Sequence, residues 1–250
     1  MIAGCLAKDA QTSEWIRIYL PDEEADSERF LRDCANYVGV NIKTLTAGKS
    51  VNDVIRQKRF LNSPYGGPCT GPLKTQVRLK WEAENINNGD NVTYVWGFDV
   101  KEKHRAERMI INYPNFKHEF PLIDNCLTKN DCHGILKALG LKRPRMYELG
   151  FPNNNCIMCV KAGMGSLNNF RKYFPAQYDE RAKLEREIGH SCLKKYFLDE
   201  LPEDAGRTLK PISEELTLSG IHAFYQILKN LGKGSIEKSY ELSLDNSFVI

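Results

Sequence analysis

Two short stretches in the first half fix the class of fold open to this chain, because each places a period-two apolar pattern directly before a helical one. Glu14 to Leu20, EWIRIYL, interleaves Trp15, Ile16, Ile18 and Leu20 with polar positions, as a half-buried strand does. It ends in the acidic turn Pro21-Asp22-Glu23-Glu24. Ser27 is placed to cap a helix to about Val38, with Phe30, Leu31, Cys34 and Tyr37 at helical spacing. Asn41 to Leu45 reads as the next strand, and Ser50 with Asp53 three residues on forms a helix-start box for Val51 to Phe60. A helix from Thr70 carries Leu73, Val77 and Trp81 on one face. Asn91 to Val100, NVTYVWGFDV, is the clearest strand and runs into the charged KEKHRAERM. This alternation predicts an α/β fold with a largely parallel sheet, in which ligands dock at the carboxyl ends of the strands. Those ends carry Asp22 to Glu24, Gly48, and Gly97-Phe98-Asp99.

The flanks are less regular. Met1 to Lys8 has the look of a helix end, with Ile2, Ala3 and Leu6 on one face. PLIDN, Pro121 to Asn125, reads as a strand end. A helix then starts at Thr128, faces Cys132, Ile135, Leu136 and Leu139 inward, and stops at Gly140. Leu167 to Ile188 is amphipathic with a break near Pro175. Residues 191–250 are polar and weakly patterned, so the expected organisation is an α/β domain over 1–190 and a helical C-terminal extension over 191–250.

Between these regular parts lies Phe151 to Gly165, FPNNNCIMCVKAGMG, which has neither period and the composition of a binding loop. Its Cys156-x-x-Cys159 spacing lets two thiolates meet one metal ion, or serve as a redox pair. Cys69, just before a predicted helix start where the dipole favours a thiolate, is the natural third ligand. The bland reading is three loop cysteines with no ligand. Of the eight cysteines, Cys34 and Cys132 fall on inner helical faces. With no secretory leader or membrane-length apolar run visible, they indicate a reducing, cytoplasmic setting and no membrane partner. The MIAGC opening matches a lipoprotein cleavage box only superficially, lacking the basic start and apolar run.

A net charge of +3 commits the chain to no polyanionic partner, so an anion site has to come from local clusters. Lys74 and Arg78 lie four apart, and Lys101, Arg105 and Arg108 share another helical face near strand ends. These faces permit a nucleic-acid partner but do not support one, since aromatic residues are not interleaved with them in the sequence. Asp22 and Glu23 are placed to hold Mg²⁺ or a ribose hydroxyl, or simply to form a turn. Asp99 and Asp124 could position a ligand or cap a helix. His104, His118 and His133 have no recognisable partner.

Several motifs then line up in order: Cys69-Thr70 with Lys74; Gly97-Phe98-Asp99 with Glu102 and Arg105; FPLIDN-x-LTK-x-DC, Phe120 to Cys132; and GFPNNNC-x-x-C-V-K-x-G, Gly150 to Gly163. Together they resemble the phosphoadenosine phosphosulfate (PAPS) reductase family of the adenine nucleotide α-hydrolase group, in particular its compact, often phage-encoded members. The resemblance spans roughly residues 1–190. It implies a Rossmann-like sheet that binds a small-molecule nucleotide, ATP or PAPS, with Glu23, Lys74, Arg78, Gly97, Asp99, Arg105 and Arg108 around it. It also implies that Cys69, Cys156 and Cys159 hold a [4Fe–4S] cluster or Zn²⁺, with Cys69 and Cys159 as catalytic thiols. Family members carry a Ser-Gly-Gly-x-x-Ser phosphate loop after the first strand. This sequence has none, and its opening is similar to the helix that follows that loop, so the first strand and the loop are expected to be missing from it. A C-terminal Glu-Cys-Gly-like motif is also absent after Cys192, which argues against sulfonucleotide reduction by that route. The expected function is therefore adenine-nucleotide binding linked to sulfur transfer or substrate adenylation, as an oxidoreductase or ATP pyrophosphatase. The rival is a non-catalytic nucleotide-binding or interaction protein with a structural zinc site. Homo-oligomer formation is left open.

Overall fold

The computed structural model describes residues 1–7, 12–62, 66–87 and 90–233. It is an α/β protein, rich in helix, built on two βαβ units. In the first, β1 (Trp15–Tyr19) crosses through α2 (Asp26–Val38) to β2 (Ile42–Thr46), and the strands pair in parallel with Trp15 beside Ile42 and Tyr19 beside Thr46. In the second, β3 (Thr93–Val95) crosses through α5 (Lys103–Asn112) to β4 (Lys117–Glu119), again in parallel. Parallel neighbours need such a crossover, and the helix lengths supply it. The expected single sheet is thus observed as two two-stranded sheets, β1-β2 and β3-β4.

The strands are shorter than the sequence pattern suggests, for local reasons. Asn91 to Val100 is strand only over Thr93–Val95, because the chain bends through Gly97 into a capping box. There Asp99 accepts the Lys101 N–H at 2.8 Å, and its own N–H donates to Glu102 at 3.3 Å. PLID is not a strand end but a one-turn helix, α6 (Pro121–Asp124), with Pro121 at its first position. That is where the missing proline N–H costs nothing. Ser27 is not the cap of α2: the helix begins at Asp26 after Ala25, and Ser27 lies buried inside its first turn. The Ser50–Asp53 box does start α3 (Val51–Lys58). The helix expected from Thr70 opens as a π-helical turn, Gly71–Thr75, before α4 (Gln76–Asn85).

Downstream, Thr128 caps α7 (Lys129–Ala138), and α8 (Arg145–Glu148) leads into the cysteine loop. α9 (Met164–Tyr173) and α10 (Pro175–Ile188) are split at the expected proline. The C-terminal α11 (Leu218–Asn230), together with α1 (Ile2–Leu6), completes the main core. In that core Ile2, Ala3 and Cys5 meet Leu127, Ile135, Ala223 and Ile227, with Trp15 and Val95 from both strand pairs at the edge. A second core gathers Phe151, Met158, Phe170 and Tyr178 with Leu198 and Leu201. A third joins Leu20, Val54, Ile55, Leu73, Val160 and Leu184. Residues 191–233 therefore reach all three cores: Leu198 and Leu201 are buried in the second, α11 enters the first, and Cys192 packs against the third. Positions 234–250 of the expected extension lie outside the described residues.

Candidate functional site

The loop from Phe151 to Gly163 is held from every side. Lys129 donates to the Pro152 carbonyl and to Asn153 Oδ1. The Asn154 amide donates to Ser27 Oγ at 3.1 Å. The Ile157 N–H donates to the Asp22 carbonyl at 2.7 Å, which fixes the cysteine turn to the carboxyl end of β1. Phe151 and Met158 are buried in one core and Val160 in another. Within the turn, the Cys159 N–H donates to the Cys156 carbonyl at 3.1 Å, and Met158 sits at φ 56°. A left-handed methionine costs about 1–2 kcal/mol. The Met158 carbonyl accepts a 2.8 Å bond from Arg181 Nη1, which offsets that cost.

Cys69 comes to the same place on a turn that leaves no room for a side chain at Gly67. A Cβ on Gly67 would lie 2.5 Å from Val160 Cγ2 and 3.6 Å from Cys69 Sγ, and one on Gly66 would meet Lys161 Nζ at 3.6 Å. Gly67 thus lets the Cys69 turn pack directly against the Val160 side chain, with the Lys161 side chain beside Gly66. The π-helical turn carries Lys74 on the same side, and such turns recur at functional sites.

The electrostatics tie the group together. Burial pushes the Cys69 thiol up; the neighbouring Cys159 adds to this, and Lys161 and Lys74 oppose it. Burial pushes Cys156 up to about 12, with Lys74 lowering it and Asp22, Cys159 and Glu23 raising it. The helix-start effect expected to favour a Cys69 thiolate is therefore outweighed by desolvation. Cys69 senses the charges of Cys159, Lys161 and Lys74, and Cys156 those of Lys74, Asp22 and Cys159, so these groups share one electrostatic neighbourhood. Soft sulfur donors suit zinc or an iron–sulfur centre. Among the described residues no group of three His, Cys, Asp or Glu side chains converges closely enough to hold a metal ion, so a metal would require the thiols to rotate toward one another.

The other expected site residues lie elsewhere or are engaged. Glu23 pairs with Arg17 at 2.5 Å. Arg78 pairs with the buried Glu82, which also accepts the Tyr94 hydroxyl, and its guanidinium lies over the Tyr113 ring at 4.4 Å. Arg105 pairs with Glu102 and stacks over Phe98 at 4.3 Å. Asp99 caps the turn before α5, a Cβ on Gly97 would lie 3.9 Å from Ala3 Cβ, and Arg108 is exposed on α5. The basic residues prove to be interleaved with rings after all. Tyr94, Trp96 and Phe98 stack along β3 and beyond it, beside His118 and Phe120. His118, expected to be without a partner, accepts from Trp96 Nε1 at 3.0 Å through Nδ1 and meets the Tyr113 carbonyl through Nε2.

Arg181 was not anticipated. It is 2% exposed and contacts the crown of the cysteine turn. Its signal was present on α10, where Tyr178, Arg181, Ala182 and Glu185 occupy the inward stripe. Charged residues at core positions of an amphipathic helix call for an explanation. Glu185, fully buried, accepts the Cys192 and Leu198 N–H groups.

No protein-family model, curated protein or solved structure matches the chain.

Proposed function

We propose that this is a PAPS reductase-like, adenine-nucleotide-binding protein in which Cys69, Cys156 and Cys159 form a sulfur-handling or metal-binding centre beside a cationic nucleotide pocket. The observation that carries the reading is the meeting of Cys69, from residues 66–69, with the Cys156–Cys159 turn, Lys74 and Lys161 at the carboxyl end of β1. In α/β proteins that end of a strand is where ligands dock. On this reading the two βαβ units are halves of a Rossmann-like arrangement, and Lys74 and Lys161 neutralise phosphate or sulfate charge. Arg108, exposed on α5, is a further cation for the nucleotide, whereas Arg78 and Arg105 would have to leave their carboxylates to join it. A metal bound by the thiols would supply either electron transfer or a structural clasp, and Mg²⁺ would accompany ATP. No helix among the described residues is long and apolar enough to cross a membrane.

The full chain, purified without oxygen, is titrated with ATP and with PAPS by calorimetry, alongside metal analysis and visible absorption spectroscopy. The reading expects heat with one of the nucleotides. It also expects Lys74→Met to weaken that binding by about tenfold or more, the loss of one charge-assisted contact. Brown protein with bound iron identifies the sulfur-chemistry form. Colourless protein with stoichiometric zinc that still binds nucleotide identifies the non-catalytic form. Absence of heat with both nucleotides ends the nucleotide reading.

A further inference from the structure

Between the turn after β1, the start of α3 and the inner face of α10 lies a cleft of about 220 Å³, with Asp22, Ser50, Asn52, Gln177, Glu180 and Arg181 among its walls. Two groups of opposite charge face it without meeting. Arg181, buried to 2% exposure, donates from Nε to Asn52 Oδ1 and from Nη1 to the Met158 carbonyl, each at 2.8 Å. Both acceptors are neutral and a guanidinium has five N–H groups; Asp22 and the buried Glu185 act on it through space, but among the described residues no carboxylate hydrogen-bonds to it. On the opposite wall Asp22 Oδ2 accepts the Val51 N–H at 2.8 Å, and no described cation pairs with that carboxylate. Glu180 is different: Asn52 and Arg56 already occupy its Oε1.

Buried charges in folded proteins are paired or bind ions, because leaving them alone is costly. Here a buried guanidinium and a half-buried carboxylate, neither of them in an ion pair, line one small cavity. We propose that this cleft binds a small zwitterion, of the α-amino-acid class, whose carboxylate meets Arg181 and whose ammonium meets Asp22. Size agrees with this. At about 220 Å³ the cleft has room for several waters, a space of the order a small amino acid needs. Burial raises Asp22 and lowers Arg181 from their ordinary values although each group partly offsets the other, and a ligand charge of opposite sign in contact with each would relieve both further. The site adjoins the cysteine turn through Ile157 and Met158, so its occupant would steady that turn. The inference does not depend on nucleotide binding.

Calorimetric titration of the full chain at pH 7 compares glycine, L-alanine and L-cysteine with acetate and with methylammonium. The amino acids are expected to bind at least about tenfold more tightly than either single ion, since each end adds a charge-assisted contact. Asp22→Asn should weaken amino-acid binding by about tenfold and leave acetate unchanged. Gln177→Trp, at an exposed position on the rim, should block the cleft without disturbing the core, and keeps the test open if Asp22→Asn does not fold. Amino acids binding no better than acetate or methylammonium would overturn the proposal, as would binding indifferent to both substitutions.

Discussion

Asp131 joins two helices through one carboxylate, which makes Asp131→Asn an informative perturbation. Its Oδ2 accepts Thr128 Oγ1 at 2.6 Å and the Thr128 N–H at 2.9 Å, closing the cap of α7. Its Oδ1 accepts the Thr217 N–H at 2.8 Å and Thr217 Oγ1 at 2.7 Å, at the start of α11. The residue is fully buried, so nothing from solvent can replace these bonds. Asparagine keeps the shape but offers one accepting oxygen and an NH₂ group. A threonine hydroxyl can turn to accept from that NH₂; a backbone N–H cannot, so one buried donor is orphaned. That penalty, with loss of the charge on the two remaining bonds, gives about 2–4 kcal/mol. This is a large share of the 5–15 kcal/mol that holds a typical domain together.

The same carboxylate gives the substitution a pH signature. Hydrogen bonds from Thr128 and Thr217 hold Asp131 below its ordinary value although burial acts the other way. A depressed folded-state value means its stabilisation is complete above the unfolded value of about 3.9 and is lost as pH falls through the folded one. Urea unfolding followed by circular dichroism should therefore show a full gap between wild type and Asp131→Asn at pH 7. The gap should narrow as pH drops from about 4 toward 2. A variant within about 0.5 kcal/mol of wild type at pH 7, the range of an inert surface change, refutes the account. So does a gap of the same size at both ends of the pH range.

Gly220→Ala inverts the usual rule: alanine normally stabilises a helix by about 1 kcal/mol, but this Cβ would lie 2.5 Å from Asp131 Oδ1. Thermal unfolding should show a loss of about 1–3 kcal/mol instead. Arg78→Met strands the buried Glu82 carboxylate, and chemical denaturation should report a loss of about 3–5 kcal/mol. Tyr94→Phe, which removes only the hydroxyl from the same group, should cost about 1–3 kcal/mol. Brief alkylation at pH 7.5 should label Cys126, which is exposed, well before Cys34 and Cys132, whose thiols burial pushes up to about 11 and about 12; peptide mass spectrometry reads the order.

The parts of this architecture that could be read from sequence are those whose cause is local. EWIRIYL is a strand, the Ser50–Asp53 and Thr128–Asp131 boxes start helices, and Pro175 breaks one, because each signal acts within four residues. Where short apolar runs carry no period the local signal is ambiguous, and PLID became a helical turn through its proline. α11 falls within the expected helical extension, but its bounds and its docking are not legible, because its inward residues Ala223 and Ile227 are recognised only by what they touch, namely α1 and α7. The candidate site divides in the same way. Cys156 and Cys159 announce themselves by spacing, and Cys69 and Lys74 by their place before a helix. That Arg78 and Arg105 are drawn to Glu82 and Glu102 is a tertiary outcome.

The cysteine loop owes its position to this combination of local and distant causes. Its asparagine end is tied to α7 by Lys129 and to α2 by Ser27, while its thiol end is tied to β1 by Asp22 and to α10 by Arg181. A left-handed Met158 at the crown of the turn is sustainable only while those distant tethers hold. The thiols are therefore set by the packing of four separate helices and strands, not by the loop's own preferences. A ligand between Arg181 and Asp22 would contact two of the residues that tether the turn, so its binding is expected to alter the alkylation rate of Cys159, and an unchanged rate would separate the cleft from the turn.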